Sequence, residues 1–364
     1  MSVCLAQALA QLGVRTTLVT LGGADWLDGV VQAIRDAQID YVLAFGSFSA
    51  DLRTPDGRSI YDSLGCGLIG WDVDHPAYQF KRFTTPIRKR VQICASESHF
   101  RFAQTMGCRT AEALMVPGVE AVAEDPLPIE DRPILATVAM SWLGEPQVWW
   151  NGAKGTPAYS LIEGVVGRLL ADREVDMFAA YQATLADTGL EVNFDENVCN
   201  LLSNIGLFVR QYDRFLLGKT LAETDLPCVI CGTGWRERLG ERPHLTYAES
   251  LDFADLGELY GRSRIVLNLN AANGASERAV LAMANGAAVV SDYSPLLQSQ
   301  FGNENAIRFF DRRNPISVAE AVTTLLTSGE AQAVADQGRA LVSQAHLWPH
   351  KAACLMETLE TIGA

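Results

Sequence analysis

Residues 265–297 read IVLNLNAANGASERAVLAMANGAAVVSDYSPLL, and this stretch decides the fold. A β-branched apolar run at 265–269 predicts a strand, 270–275 a small-residue loop, and 277–285 a helix capped by Ser276. Val280, Met283 and Ala284 give that helix an apolar face, Gly286 stops it, and 287–291 form the next strand. The unit is strand, loop, helix, strand. Its loop leaves the carboxyl end of one strand and enters a helix N-terminus, where free backbone N–H groups and the helix dipole favour an anion. Asn273, Gly274 and Ala275 carry too little bulk to keep a phosphate away. The same residues also fit a plain parallel sheet, in which Gly274 is a turn residue and Ser276 a cap.

The string SERAVLAMANGAAVVSD at 276–292, preceded by LGELYGRSRIVLNLN at 256–270, resembles the donor-nucleotide segment of group-1-type glycosyltransferases, particularly the bacterial spore-maturation-like branch. The resemblance is close over 227–310, weaker in the amino-terminal half and absent in the middle. It implies an α/β protein of two facing Rossmann-like domains (GT-B type) whose second domain holds a nucleotide sugar. It further implies substrate contacts from Asn268, Asn270, Asn273, Gly274, Ala275, Ser276 and Glu277, with Arg278 stabilising the departing diphosphate. One departure is Leu281, which stands where many relatives place a ribose-binding glutamate. Glu277, one turn earlier, is the candidate replacement.

A chain of 364 residues with 48% hydrophobic content can bury two sizeable cores. No window reads as a transmembrane span, and the first helix lacks the basic leading segment of a signal peptide. A net charge of −14 argues against nucleic acid or anionic lipid as a general partner. The eight cysteines lie mostly in apolar runs, which suits buried thiols in a reducing cytoplasm. Cys228 and Cys231 form a CxxC, but on a strand they point to opposite faces and no second pair accompanies them.

The amino-terminal half alternates helix and strand: helix 4–12, strand 16–21, helix 28–37, strand 41–45, helix 59–64, strand 67–71, strand 91–95, helix 97–106 and strand 113–116. A helix comes first where a domain of this class opens with a strand, so the front of the chain is expected to be clipped or divergent. Residues 115–120, MVPGVE, and the acidic, proline-rich stretch after them read as a linker and resemble the GT-B hinge. The expected division is therefore a first domain at 1–118, a linker at 119–132, a second domain at 133–345 and a helix at 346–364 returning to the first. In the motif GWDVDHP at 70–76, two carboxylates and an imidazole follow a strand, where open α/β sheets place their ligands. Asp74 or His75 there is a candidate general base; a polar turn with capping carboxylates is the competing account. A similar Trp-x-x-Asp-x-Pro arrangement belongs to the family that the chain resembles, and it favours the catalytic account.

The second domain opens with a strand at 134–140 and then departs into helices at 161–170, 174–187, 195–202 and 206–221, a helical insertion spanning about 155–222. Trp142, Trp149 and Trp150 precede it, as a core cluster, an interface or a sugar-stacking surface. Arg210 and Arg214 share a helix face, either aimed at donor phosphates or solvated beside Asp213, and the second account is preferred. The strand 228–231 ends in Gly232, Gly234 and Trp235, where glycines permit close backbone approach. Tyr247 follows at the spacing where the relatives contact the donor base. A strand at 265–269, helices at 317–326 and 330–345, and a last helix bent in by Pro349 complete the pattern.

The function expected is metal-independent glycosyl transfer from a nucleotide sugar to a protein, glycan or small-molecule acceptor, with no cofactor and no nucleic-acid partner. The base is Asp74 or His75, and Arg278 with the 274–277 backbone receives the leaving diphosphate. Two other classes fit the same features: a nucleotide-sugar epimerase, and a catalytically silent nucleotide-sugar-binding protein.

Overall fold

The structure, a computed structural model, describes residues 1–19, 26–108, 111–172, 174–270, 276–314 and 316–361, with the side chains of 111–114 excepted. The chain divides into two units. The first comprises Met1–Glu120, Phe194–Asn200 and His346–Ala364, and the second Ala121–Asn193 and Leu201–Ala345.

In the first unit four parallel strands, β1 (Tyr41–Phe45), β2 (Gly67–Asp72), β3 (Arg90–Cys94) and β4 (Ala111–Leu114), lie side by side in that order. The helices are Ser2–Gln11, Trp26–Ala37, Ile60–Leu64, Phe80–Thr84 and Glu97–Thr105, with Trp348–Thr361 from the far end of the chain. Successive residues of a strand face opposite ways, and each face has its own core. Ile69, Trp71, Val91 and Ile93 pack against Leu5, Ala8, Trp348, Ala352 and Leu355, so the first and last helices share one face. Leu68 belongs to the other, with Val30, Ile34, Ile60 and Tyr61. Of the strand expected at 16–21, residues 16–19 carry no regular structure, and 20–21 lie outside the described residues.

The second unit holds six parallel strands: β5 (Ile134–Ala139), β6 (Cys228–Cys231), β7 (Leu245–Ala248), β8 (Ser263–Asn268), β9 (Ala288–Asp292) and β10 (Arg308–Phe310). Their spatial order is β10-β9-β8-β5-β6-β7. The chain steps outward from β5 to β7, then returns to build the other half from β8 to β10. That reversal makes the gap between the carboxyl ends of β5 and β8 the topological switch point of a doubly wound sheet, where such folds bind ligands.

The insertion consists of Pro157–Ala171, Met177–Thr188 and Glu196–Glu223. The last corrects the sequence expectation, because 195–202 and 206–221 form one helix of 28 residues that runs straight through Gly206. An interior glycine costs a helix only about 1 kcal/mol, and the buried Leu202, Ile205, Phe208, Leu217 and Leu221 outweigh it. Trp150 is buried against Phe208, whereas Trp149 beside it is exposed. No helix among the described residues is long and apolar enough to cross a membrane.

Candidate functional site

The βαβ unit forms around the helix Glu277–Ala284, capped by Ser276, whose Oγ accepts the Arg278 backbone N–H at 3.2 Å. The Arg278 side chain turns back over the sheet. Its Nη1 donates to the Ala139 carbonyl at the end of β5, its Nη2 to the Leu269 carbonyl just beyond β8 at 3.4 Å, and its Nε to Ser276 Oγ at 3.2 Å. A guanidinium thus sits over the switch point and ties Ala139, Leu269 and Ser276 together. Asn273, Gly274 and Ala275, expected to cradle a phosphate, lie outside the described residues.

Arg278 has company of its own sign. Arg214 donates from Nη1 to the Ser141 carbonyl at 2.6 Å, and burial, with the charges of Arg278 and Arg210 nearby, pushes its guanidinium down to about 10. Arg278 is likewise lowered, first by burial, with Arg210 adding to the effect. Arg210 Nε is buried without a hydrogen-bond partner. Asp213, expected beside these arginines on a solvated face, is instead buried and paired with Arg312. Three guanidinium groups therefore gather at the switch point with none of them in an ion pair among the described residues. Like charges concentrated under partial burial are unfavourable unless an anion joins them.

Arg312 was not singled out from the sequence. Its Nη1 lies 3.2 Å from Asp213 Oδ2, and its Nη2 meets Asp292 Oδ2 and donates to the Asn270 carbonyl at 3.0 Å. Asn270 is fixed on every polar atom: its N–H and Nδ2 donate to Asp292 Oδ1 at 2.8 and 2.9 Å, and its Oδ1 accepts from Asn268 Nδ2 at 3.1 Å. Asn268 Nδ2 also donates to Ser291 Oγ at 2.9 Å. Both asparagines are buried, and among the described residues Asn268 Oδ1 has no hydrogen-bond partner. Glu277 lies partly buried in the first turn of the helix, and Leu281 is buried with its Cδ1 facing Gly257.

The residues after β6 also serve packing. A Cβ at Gly234 would come within 2.9 Å of Trp142 Cβ, and one at Gly232 would collide with the Met140 carbonyl, so these glycines let two segments of chain approach each other. Gly232 and Gly234 have φ of +147° and +84°, which also favours glycine. Trp235 is fully buried, donates from Nε1 to the Met140 carbonyl at 2.6 Å and lies edge-on to Trp142. Tyr247 gives its hydroxyl proton to the Gly240 carbonyl at 2.7 Å. Gly232, Gly234 and Trp235, expected among the substrate contacts, thus also pack against Met140 and Trp142. A Gly-x-Gly after a strand serves close packing as well as phosphate.

In the first unit, β2 extends to Asp72, and the three polar residues of the motif divide their tasks. Asp72 is buried, accepting Gln92 Nε2 at 2.7 Å and the Ser47 hydroxyl. Gln92 Oε1 in turn accepts Arg90 Nη2 at 2.7 Å, so one amide links a buried cation to a buried anion. Burial pushes Asp72 up to about 6, opposed by Ser47, Gln92 and the charges of Arg90 and Arg82. Ser47 and Ser49 hold left-handed φ of +47° and +68° in the turn that follows β1. His75 Nδ1 accepts the Ala77 N–H at 3.2 Å, capping a short 3-10 helix at Pro76–Gln79, and its ring packs on Phe102 and His99. Burial and the neighbouring His99 hold His75 well below the usual imidazole range. Asp74 is exposed.

Comparison with known proteins agrees with this architecture. Residues 210–357 match a family model described as glycosyl transferase-like. That match takes in the later part of the second unit and most of the last helix. Among solved structures, sucrose-phosphate synthase from Thermosynechococcus elongatus superposes with a TM-score of 0.57 at 10% identity, covering 98% of this chain and 91% of that one. The Anabaena protein Alr3699/HepE in complex with UDP-glucose gives 0.57 at 13% identity, covering 98% and 88%. These likenesses establish a glycosyltransferase fold of GT-B type. No curated protein matches the sequence.

Proposed function

We propose that this protein transfers a sugar from a nucleotide-sugar donor to an acceptor hydroxyl, with the donor diphosphate held in the second unit. The observation that carries the proposal is the placement of Arg278, with Arg210 and Arg214, at the switch point between β5 and β8. The glycosyl transferase-like segment spans the same residues, and the Anabaena protein of like fold was solved with UDP-glucose.

In the proposed reaction a base takes the acceptor hydroxyl proton, the acceptor oxygen bonds to the anomeric carbon, and the bond from that carbon to the diphosphate breaks. The electron pair leaves with the diphosphate. Its charge is met by Arg278, Arg210, Arg214 and the backbone N–H groups of residues 274–277, and this arginine charge takes the part that a divalent metal plays elsewhere. Asp74 is the proposed base, because His75 is occupied as a cap and Asp72 is spent on Ser47 and Gln92. The acceptor belongs to the protein, glycan or small-molecule classes, and the reaction is assigned to the cytoplasm from the free, mostly buried cysteines.

The test is a thermal-shift panel of UDP, GDP, CMP and dTDP with their sugars. A nucleotide at about 100 times its Kd should raise stability by roughly 2.7 kcal/mol. A panel without any shift refutes the donor assignment. A nucleotide-sugar shift with no acceptor-dependent product points instead to an epimerase.

A further inference from the structure

We infer that Arg312 is a positioning residue of the donor site: by withholding Asp213 from Arg210 and Arg214, it keeps the arginine cluster free to take a diphosphate. The inference rests on the donor site proposed above and adds a device that keeps that site charged.

Arg312 and Arg313 are neighbours with opposite fates. Arg313 is exposed and pairs with the adjacent Asp311 at 3.0 Å, as expected of a basic turn. Arg312 leaves only 9% of its side chain exposed and reaches across the carboxyl ends of the strands, touching Asp292 at the end of β9 and the Asn270 carbonyl beyond β8. Its other arm takes Asp213, whose side chain is 3% exposed, from the long helix.

The position of Asp213 gives this contact its consequence. On a helix, residues three apart are neighbours, so Asp213 is placed by sequence to pair with Arg210, and it adjoins Arg214. A carboxylate released there would neutralise part of the cluster and compete with an incoming phosphate. Held by Arg312, it cannot. The same guanidinium ties the chain just beyond β8 by donating to the Asn270 carbonyl, so the position of Asn270 and the state of the arginine cluster depend on one side chain.

The experiment measures binding of UDP, GDP and inorganic pyrophosphate to the full-length protein by calorimetry. Arg312→Met should weaken binding by about tenfold or more, a loss of roughly 1.4 kcal/mol. Adding Asp213→Asn to Arg312→Met should restore most of the affinity, because the released carboxylate is gone. A purely structural role for Arg312 predicts no such rescue. Should Arg312→Met fail to fold, the pair is compared in Arg312→Lys, whose ammonium lacks the fork by which Nη1 reaches Asp213 while Nη2 reaches Asp292. Unchanged binding in the single variant, or a double variant as weak as the single, overturns the inference. A wild-type protein that binds pyrophosphate but neither nucleotide refutes the nucleotide donor and leaves the device standing; one that binds none of the three overturns both.

Discussion

Asp213 lies between Arg210 and Arg214 in the sequence, yet its carboxylate meets Arg312, ninety-nine positions away, at 3.2 Å. The arginines beside it make no ion pair among the described residues. This arrangement predicts opposite effects on stability and on binding. Arg210→Ala removes a buried Nε that has no partner and relieves repulsion on Arg214, so melting of the free protein should rise or hold. Nucleotide affinity should fall by about 1.5–3 kcal/mol, the range for a hydrogen bond to a charged group. Arg278→Ala should lower both, because its guanidinium also ties Ala139, Leu269 and Ser276 together. Calorimetric titration beside thermal melts separates the two patterns, and equal losses of stability in both variants contradict the assignment.

Replacing the proposed base tests the first unit. Asp74→Asn keeps size and hydrogen bonding while removing the base, so turnover should fall by roughly a hundred- to ten-thousand-fold with donor affinity nearly unchanged. His75→Ala removes the cap on the Ala77 N–H and should act mainly on stability, by about 1 kcal/mol or more. Full activity in Asp74→Asn together with loss in a folded His75→Ala would transfer the role to the imidazole.

The pH dependence of stability follows from four groups in the first unit. Burial lowers His75 well below its ordinary range, His99 to about 4 and His346 to about 3. The unfolded chain therefore binds protons that the folded chain refuses, and stability is lost as pH falls below about 6.5. Asp72, raised to about 6, acts in the opposite sense: its contribution is present below the unfolded carboxylate range and is lost as pH rises toward 6. With three groups against one, the melting temperature should drop between pH 7 and pH 5. Asp72→Asn should steepen that drop. His99→Leu, which removes two buried ring nitrogens that lack partners, should make it shallower and raise stability at neutral pH by about 1 kcal/mol. A melting temperature that rises on acidification contradicts this account.

Packing between the long helix and β6 yields a prediction without titration. A Cβ at Gly218 would run into the Trp235 ring, itself pinned through Nε1 to the Met140 carbonyl. Gly218→Ala should cost about 1–3 kcal/mol of stability in chemical denaturation, as overpacking does. Gly167→Ala on the insertion's first helix meets nothing within 4 Å and should stabilise slightly, by up to about 1 kcal/mol. Similar melting of the two variants would show that Trp235 can move.

Much of the fold is written locally. The 265–297 stretch carries a strand's β-branched run, a serine cap, a helical apolar face and a glycine stop, and each element forms within a residue or two of its expected bounds. Those signals survive because neighbouring residues alone set them. The strand expected at 16–21 had the right composition, but its described residues join no partner, and a strand needs one. The break expected between 202 and 206 does not form, for the converse reason: distant apolar contacts override a weak local preference.

The sequence by itself determined the alternation of elements, the linker composition and the presence of Arg278 at a helix N-terminus. Only the tertiary structure decided which charges meet. Arg312 and Asp213 look like solvated residues in their own segments and become a buried pair once β10 and the long helix come together. His75 and Asp74 look interchangeable in a polar turn, and packing against Phe102 and His99 buries one and leaves the other exposed. Secondary structure follows from residues a few positions apart, whereas charge state and hydrogen-bond partnership depend on groups that the chain brings together from up to a hundred or more positions away.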